Sequence, residues 1–412
     1  MSVQMTENTK KQVPREQKLF KLRLRRACAW LVGLIYFASG VLKIIDPTGA
    51  GLVMEEYFKF FHMDLFTPAA KTAGIAFAFL ETSLGIALLT GVWRKIMAIS
   101  IVALHTFFTI LTSLLLIFNP SMDCGCFGEA IHLTHFETFI KNIIILLLLL
   151  VAYVPFKRFG STKKRKYVSF SIMIFCMTFL MIWSLTHLPV VDFTAFKSST
   201  TIMAADKNAE ADDLYESLFV YEKNGIEQEF DLDNLPDSSW TFINTITRRK
   251  RQDGSAPVLS FYDKDGDYND EIAAKGKVMI ISLYNPILNE NKWKDIDYKM
   301  SMIKDAGITP LLLISEERGK SNISEEIQKH WPNNIFNSDF KTLISLNRAN
   351  GGLTFLSDGY IVSKFTARYQ IDRQLKRLKE ANPETLMTEA SFKGSILLQT
   401  LLLVCIVMIL FV

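Results

Sequence analysis

Cysteine is scarce in this chain. Its 412 residues include five cysteines, and none lies between Cys176 and Cys405. That excludes a disulfide-built scaffold and leaves the longest polar stretch without thiol chemistry of its own. Net charge is small as well, since 46 basic and 42 acidic residues leave +4. No basic stripe with interleaved aromatics appears, which excludes nucleic acid as a partner. Internal repeats are missing, and with them solenoid and propeller architectures. Lys18, Lys21, Arg23, Arg25 and Arg26 form a start like the n-region of a signal peptide. No small-residue cleavage site follows at the expected distance, so the apolar segment after it reads as a retained helix.

Apolar residues are abundant, at 49% of the total with 31 Phe, and they gather into runs. Six runs have the length and hydropathy of membrane spans, at 27–45, 72–90, 96–118, 138–156, 167–187 and 394–412. Within the fourth, 143–151 is unbroken aliphatic sequence. Basic residues sit at the ends of the runs: in the 1–26 arm, in the turn 91–95 and in the loop 157–166. If the spans alternate, all three fall on one side, which the positive-inside rule makes cytoplasmic. The loops 46–71 and 119–137, and everything from 188 to 393, then lie on the outer, oxidising side. The expected organisation is a basic arm (1–26), a four-helix bundle (27–156), a basic loop with a fifth span (157–187), a linker and β-hairpin region (188–256), an α/β domain (257–390) and a closing helix (391–412).

The polar insert carries clear signals. Lys197 to Asp213 is polar and reads as a linker. Leu218–Tyr221 and Ile226–Leu232 flank Asn224-Gly225, a type I′ hairpin signature, and 240–243 is a further strand candidate. After Pro257 the pattern turns to alternating β and α. Strands are expected at 258–261, 278–283 and 308–314, helices at 293–306 and 324–330, a hairpin at 353–356 and 361–365 turned by Asp358-Gly359, and a last helix at 372–381. That order of strand, helix, strand, helix, hairpin, helix is the order of a thioredoxin fold. Yet the place of its Cys-x-x-Cys reads Tyr284-Asn285-Pro286-Ile287-Leu288-Asn289, and the place of its proline reads Asn350-Gly351-Gly352. Such a domain can bind partners but cannot exchange thiols. Asp263-Lys264-Asp265-Gly266-Asp267 looks calcium-like but fails the EF-hand spacing, and a tight acidic turn is expected there.

The chemistry-bearing feature is Asp123-Cys124-Gly125-Cys126-Phe127-Gly128, between the third and fourth spans. Gly125 lets the backbone fold tightly enough for thiols one residue apart to meet, and a bridge over so short a span is strained and exchange-prone. Three readings stand: a redox pair, a structural staple, and metal ligation by Cys124, Cys126, His132 and His135, whose Cys-x-Cys spacing is tighter than a usual zinc knuckle. Thr134-His135-Phe136-Glu137 is a capping box that starts the fourth span and keeps the loop short. Lys43, Glu81 and His105 are ionisable residues in or near spans, which are costly unless turned inward. Lys43 and Asp46 either snorkel or pair. Glu81 and His105 lie mid-span on antiparallel neighbours, where a Glu–His pair would hold a quinone, relay protons, or serve as a structural hydrogen bond. Cys28, Cys176 and Cys405 read as apolar packing residues.

Ser39-Gly40-x-x-Lys43-x-x-Asp46-Pro47, Glu81 followed by Gly85, and the Cys-Gly-Cys-Phe-Gly run together resemble the DoxX and MauE group of bacterial membrane proteins, over about residues 27–156. The resemblance implies a four-helix inner-membrane bundle associated with disulfide formation or quinone-level electron transfer. Its MauE-like members serve maturation of methylamine dehydrogenase, whose small subunit is rich in disulfides. It implies Cys124 and Cys126 as the redox candidates, Glu81 as a bundle residue, a membrane quinone as the accessory molecule, and an envelope thiol–disulfide protein or client as partner beside lipid. The fold class expected is therefore an α-helical membrane bundle joined to an α/β, thioredoxin-like soluble domain. Two functions follow: a redox component, or a non-catalytic assembly factor in which Cys-Gly-Cys is a staple and the cysteine-free domain a binding platform. A transporter is a third and weaker reading, since charged pathway residues are few and no pair of broken helices is evident.

Overall fold

A bundle of apolar helices and an α/β domain meet at one end of the bundle in the computed structural model, which describes residues 15–120, 122, 124–154, 162–202, 215–223, 226–230, 235–237, 239–249, 257–317, 322–368 and 371–411. Five helices are long and apolar enough to cross a membrane, at Leu19–Ile45, Asp64–Thr90, Arg94–Phe118, His135–Tyr153 and Lys164–Thr186. They belong to α1 (Arg15–Ile45), α3 (Ala70–Thr90, entered through a 3-10 turn at Asp64–Ala69), α4 (Arg94–Phe118), α5 (His135–Tyr153) and α6 (Lys164–Thr186). The sixth expected span, 394–412, lies on a helix running Pro383–Leu410, whose apolar part among the described residues is Ser395–Leu410.

The helices adjoin through small residues. α1 packs on α3 and α5, α5 packs on α4, and α6 lies along α1 and α3. A Cβ added to Gly40 of α1 would meet the Thr82 backbone nitrogen at 2.6 Å, and one on Gly85 of α3 would meet that of Phe37 at 2.4 Å. Such close backbone approach is how membrane helices gain packing energy without a hydrophobic drive between them. The three basic segments share one end: Lys166 Nζ donates to the Thr90 carbonyl at 3.2 Å, Thr162 Oγ1 to the Gly91 carbonyl at 3.4 Å, and Arg25 Nε to the Ala152 carbonyl at 2.8 Å.

At the opposite end the expected loop 46–71 holds a helix, α2 (Pro47–Phe60). Asp46 caps it, accepting from the Gly49 amide at 3.0 Å, and Pro47 occupies its first turn. The capping box at Thr134 and Glu137 forms as expected and starts α5.

Beyond α6 the chain builds two sheets. Strands β1 (Tyr215–Lys223), β2 (Ile226–Phe230) and β3 (Thr241–Arg249) pair antiparallel in the order β2-β1-β3. The Asn224-Gly225 turn lies outside the described residues. The larger sheet contains β4 (Lys277–Leu283), β5 (Thr309–Ile314), β6 (Ile335–Asn337), β7 (Gly352–Ser357) and β8 (Tyr360–Phe365) in the order β6-β5-β4-β7-β8. β4, β5 and β6 run parallel, while β7 and β8 are antiparallel to their neighbours. Helices α7 (Glu271–Ala274), α8 (Glu290–Asp305), α9 (Glu325–His330), α10 (Phe340–Leu346) and α11 (Asp372–Glu380) connect and cover it, and α12 (Pro383–Leu410) returns to pack on α6. Alternate residues of β4 enter opposite cores, Met279, Ile281 and Leu283 on one face and Val278 and Ile280 on the other. A strand covered on both faces reads as a continuous apolar run, which is why β4 was legible.

Three expectations are corrected. Val258–Phe261 form no strand; Leu259 and Phe261 enter the core, and the backbone bridges to the sheet at Tyr262 and Asn337. Strand β6 and helix α10 stand where neither was expected. The segment read as linker begins as part of the domain: Ile202 donates to the Gly359 carbonyl at 2.7 Å, and Phe196 and Ile202 are buried. Residues 203–214 lie outside the described residues. The acidic turn is a tight one, Asp263 accepting from the Asp265 and Asp267 amides at 3.0 Å each. Asn285 and Asn350, at the two former landmark positions, exchange two hydrogen bonds of 2.9 Å.

Asp192 anchors the domain just past α6. Lys364 Nζ lies 2.6 Å from its carboxylate, and Thr194 donates to it through both its amide and its hydroxyl. Burial alone would raise the Asp192 carboxyl, but the Lys364 charge and the hydrogen bonds outweigh it and hold it below the usual carboxylate range. A depressed folded value contributes stability above the unfolded pKa of about 3.9, lost as pH falls through the folded value. Thermal melts in detergent are therefore expected to show Asp192→Asn less stable than the native chain at neutral pH, with the difference shrinking at acid pH. In the bundle, Gly85→Val is expected to cost about 1–3 kcal/mol by driving α1 from α3, measured by helical loss on denaturant titration.

Candidate functional site

The site grows from one stripe of α1. Tyr36, Ser39 and Lys43 are spaced by three and four, so they share a face. That face meets Glu81 on α3, and Lys43 Nζ lies 2.6 Å from the Glu81 carboxylate with both side chains about nine-tenths buried. Lys43 has further partners. Its ammonium donates to Ser39 Oγ at 3.0 Å and to the Cys126 carbonyl at 2.6 Å, and Ser39 Oγ also donates to that carbonyl at 2.5 Å. The ammonium thus has three acceptors, which is what makes a buried cation tolerable.

The same contacts hold the Cys-Gly-Cys backbone from below. Tyr57 of α2 holds it from above, its hydroxyl donating to the Cys124 carbonyl at 3.0 Å. Burial, with Cys126 and Cys124 adding to it, pushes the Tyr57 hydroxyl far above its ordinary range, so it stays protonated and a donor. Gly125 has φ +62°, and a Cβ there would come within 2.1 Å of Val53. Only glycine meets both demands, one conformational and one steric.

Both sulfurs are thiols in this structure. Cys124 is buried, while Cys126 is half-exposed. Cys124 Sγ lies 2.9 Å from His135 Nδ1, and His135 Nε2 lies 3.0 Å from the Pro120 carbonyl. A carbonyl oxygen only accepts, so Nε2 carries hydrogen. Neutral imidazole then presents Nδ1 as an acceptor, aimed at the Cys124 proton. His135, expected as a metal ligand or interfacial residue, stands instead as a proton acceptor for a thiol. His132 is exposed. Among the described residues no three His, Cys, Asp or Glu side chains converge as a metal set would require.

Glu81 and His105 do not pair with each other. α1 and α3 approach closely at Gly40 and Thr82, next to where Lys43 meets Glu81. His105, on α4, takes a hydrogen bond from Tyr36 at 2.8 Å, and its Nε2 lies 2.9 Å from the Asn142 carbonyl. All of these groups nevertheless line one cavity of about 290 Å³, together with Cys124, Gly125 and Cys126. Its remaining wall is aromatic and aliphatic. Phe61, Met63, Phe77 and Phe107 belong both to that wall and to the exposed surface, so the cavity opens sideways through the apolar flank of the bundle.

Sequence reasoning missed Tyr36, Tyr57, Asn142 and Arg348. The spacing of Tyr36 with Ser39 and Lys43, and the Asp46-Pro47 helix start, were available signals for the first two. Arg348 had none. It follows α10, is buried, and its Nη2 lies 2.7 Å from Asp46 and 3.5 Å from Glu129, joining the α/β domain to the cap of α2 and to the turn after Cys126. Asp46 therefore pairs rather than snorkels.

Residues 21–155, a third of the chain, match the family described as methylamine utilisation protein MauE. Residues 215–252 match a domain of unknown function, DUF8463. No curated protein and no solved structure matches the chain.

If His135 accepts the Cys124 proton, His135→Leu in a Cys126→Ser background slows alkylation of Cys124 by iodoacetamide at neutral pH by at least about tenfold. The rate is read by mass spectrometry of the intact chain.

Proposed function

We propose that this MauE-like membrane protein is a thiol–disulfide component of the bacterial cell envelope. It would pass oxidising equivalents from a membrane quinone to envelope thiols in support of a partner's maturation. The observation that carries this reading is the convergence of two thiols and a polar network on one cavity open to the apolar flank, with His135 beside one of the thiols. The basic end of the bundle is assigned to the cytoplasm by the positive-inside rule, which sets Cys-Gly-Cys and the α/β domain in the periplasm of the inner membrane.

The difference in exposure assigns the roles of the sulfurs. With Cys124 and Cys126 joined, a client thiolate reaches the exposed Cys126 sulfur. A new S–S bond forms there, and the electron pair of the old bond leaves on Cys124 as a thiolate, whose conjugate thiol proton His135 Nδ1 is placed to accept or exchange. A second client thiolate then attacks the client sulfur of the mixed disulfide, Cys126 leaves as a thiol, and the client keeps its disulfide. The pair has gained two electrons, and the two protons are those the client thiols released on ionising to thiolates. A quinone held in the cavity would supply the acceptor for both on reoxidation of the pair. The cavity fits such a molecule: its wall is apolar and aromatic, with the polar groups of Tyr36, Ser39, Lys43, Glu81 and His105 along one side. Tyr57, Ser39 and Lys43 hold the loop backbone still through the cycle.

We read the α/β domain as thioredoxin-like. Its support is the parallel β4–β5 pair, the antiparallel β7–β8 hairpin beside β4, and the closing α11. Without a thiol it would serve as a platform that presents clients to the loop, and Arg348 turns that edge of the domain toward Glu129.

Trapping tests the scheme. Cys124→Ser is expected to accumulate a mixed disulfide through Cys126, visible as a reductant-sensitive higher-mass band in cells. If neither single variant traps a partner, and the double Cys→Ser chain loses stability but keeps full function, the pair is a staple and the protein a non-catalytic assembly factor.

A further inference from the structure

A cavity that orients a ring bearing carbonyl oxygens needs a donor that the protein has not already engaged. The cavity beside the thiols has several O–H and N–H groups along its wall, and the protein occupies nearly all of them. Tyr36 donates to His105, and Tyr57 to the Cys124 carbonyl. The Lys43 ammonium has three hydrogens and three acceptors, Ser39, Glu81 and the Cys126 carbonyl. Ser39 donates to that same carbonyl, and His105 Nε2 to the carbonyl of Asn142. The Asn142 side-chain amide donates to Thr112 Oγ1 at 3.1 Å, and Thr112 to the Phe108 carbonyl at 3.0 Å.

Lys141 is the exception. It stands on α5, half-buried, in the wall of the same cavity. Its ammonium makes no hydrogen bond or ion pair with any described residue. It lies over the ring of Phe127, 5.0 Å from the centroid. Phe127 follows Cys126 directly and also lines the cavity. The Lys141 charge reaches His105, another lining residue. Glu137 precedes Lys141 by four residues on the same helix, a spacing that commonly pairs the two types. Glu137 is turned back instead, accepting from the Thr134 amide and hydroxyl at 2.9 Å each. The capping box thus withholds the nearest counter-ion along the helix. A cation over an aromatic face keeps its N–H groups available to an acceptor beside the ring.

We infer that Lys141 fixes the head of a quinone in this cavity, by donating to one carbonyl oxygen beside Cys126. The inference rests on the quinone reading proposed above and adds the residue that would orient the ring. Phe127 ties that oxygen to the loop, because its ring lies under the ammonium and its backbone continues from Cys126. The half-exposed thiol and the ring are thereby placed on the same side of the cavity. A fixed cation at that oxygen also stabilises negative charge there, which an apolar wall does not.

The test uses the full chain in detergent, in a Cys126→Ser background so that no dithiol reduces the probe. Two probes of similar shape are titrated calorimetrically: duroquinone, and durene, its counterpart without the carbonyl oxygens. With Lys141 in place, duroquinone is expected to bind more tightly than durene. Lys141→Met keeps a long unbranched side chain and removes the donor. It should weaken duroquinone by about tenfold or more and move durene by no more than about twofold. Lys141→Arg, which restores charge and donor, should recover most of the loss. A side chain that only packs would change both probes alike. Equal weakening of both, or an unchanged duroquinone affinity in Lys141→Met, overturns the inference and leaves the quinone reading standing. If the chain with Lys141 shows no preference for duroquinone over durene, the quinone reading itself fails, and the inference with it.

Discussion

One buried ion pair organises the membrane half of this protein. Lys43 and Glu81 sit on different helices, in surroundings where either charge alone would be costly. Their 2.6 Å contact sets the register of α1 against α3, where Gly40 and Gly85 already force the backbones together. The ammonium does more than neutralise the carboxylate. It extends to the Cys126 carbonyl, so the same charge that locks two helices also positions the loop bearing both thiols. The cavity, the Cys-Gly-Cys conformation and the seat of α2 all presuppose that pair.

A second ion pair carries the order outward. Arg348 joins the α/β domain to Asp46, whose other oxygen caps α2. α2 in turn supplies Tyr57 and Val53, which close over Cys124 and Gly125. The α/β domain is thus connected through three successive contacts to the backbone of the Cys-Gly-Cys loop. Its edge at Asn285 and Asn350, where a thioredoxin-type domain would keep its chemistry, holds only amides paired with each other. The cysteine-free domain and the thiol-bearing bundle are complementary parts of one apparatus in the reading advanced above.

Much of this was legible from local pattern. The apolar runs, the capping box at Thr134, the strand at 277–283 and the closing hairpin each rest on the periodicity or chemistry of a few consecutive residues. Lys43, Glu81, His105, Cys124 and Cys126 were identifiable because charge and thiol in apolar surroundings are conspicuous, and all of them line one cavity. Other features were illegible for physical reasons. α2 is short and mixed in polarity, so its pattern competes poorly with that of a loop. Val258–Phe261 has strand-like residues, but its apolar side chains are satisfied by the core without a ladder.

What the amino-acid sequence determined by itself is the inventory: apolar segments that call for a bilayer, an αβ alternation that calls for a covered sheet, and two thiols on a loop too short to wander. Periodicity and composition are local quantities, and they are read without knowing the fold. Pairing is not local. Whether Glu81 meets Lys43 or His105, that His135 lies beside Cys124, and that Arg348 reaches Asp46 were decided only when helices packed at distances their glycines allow. A hydrogen bond is made or lost within an ångström, a precision that spacing along the chain does not contain.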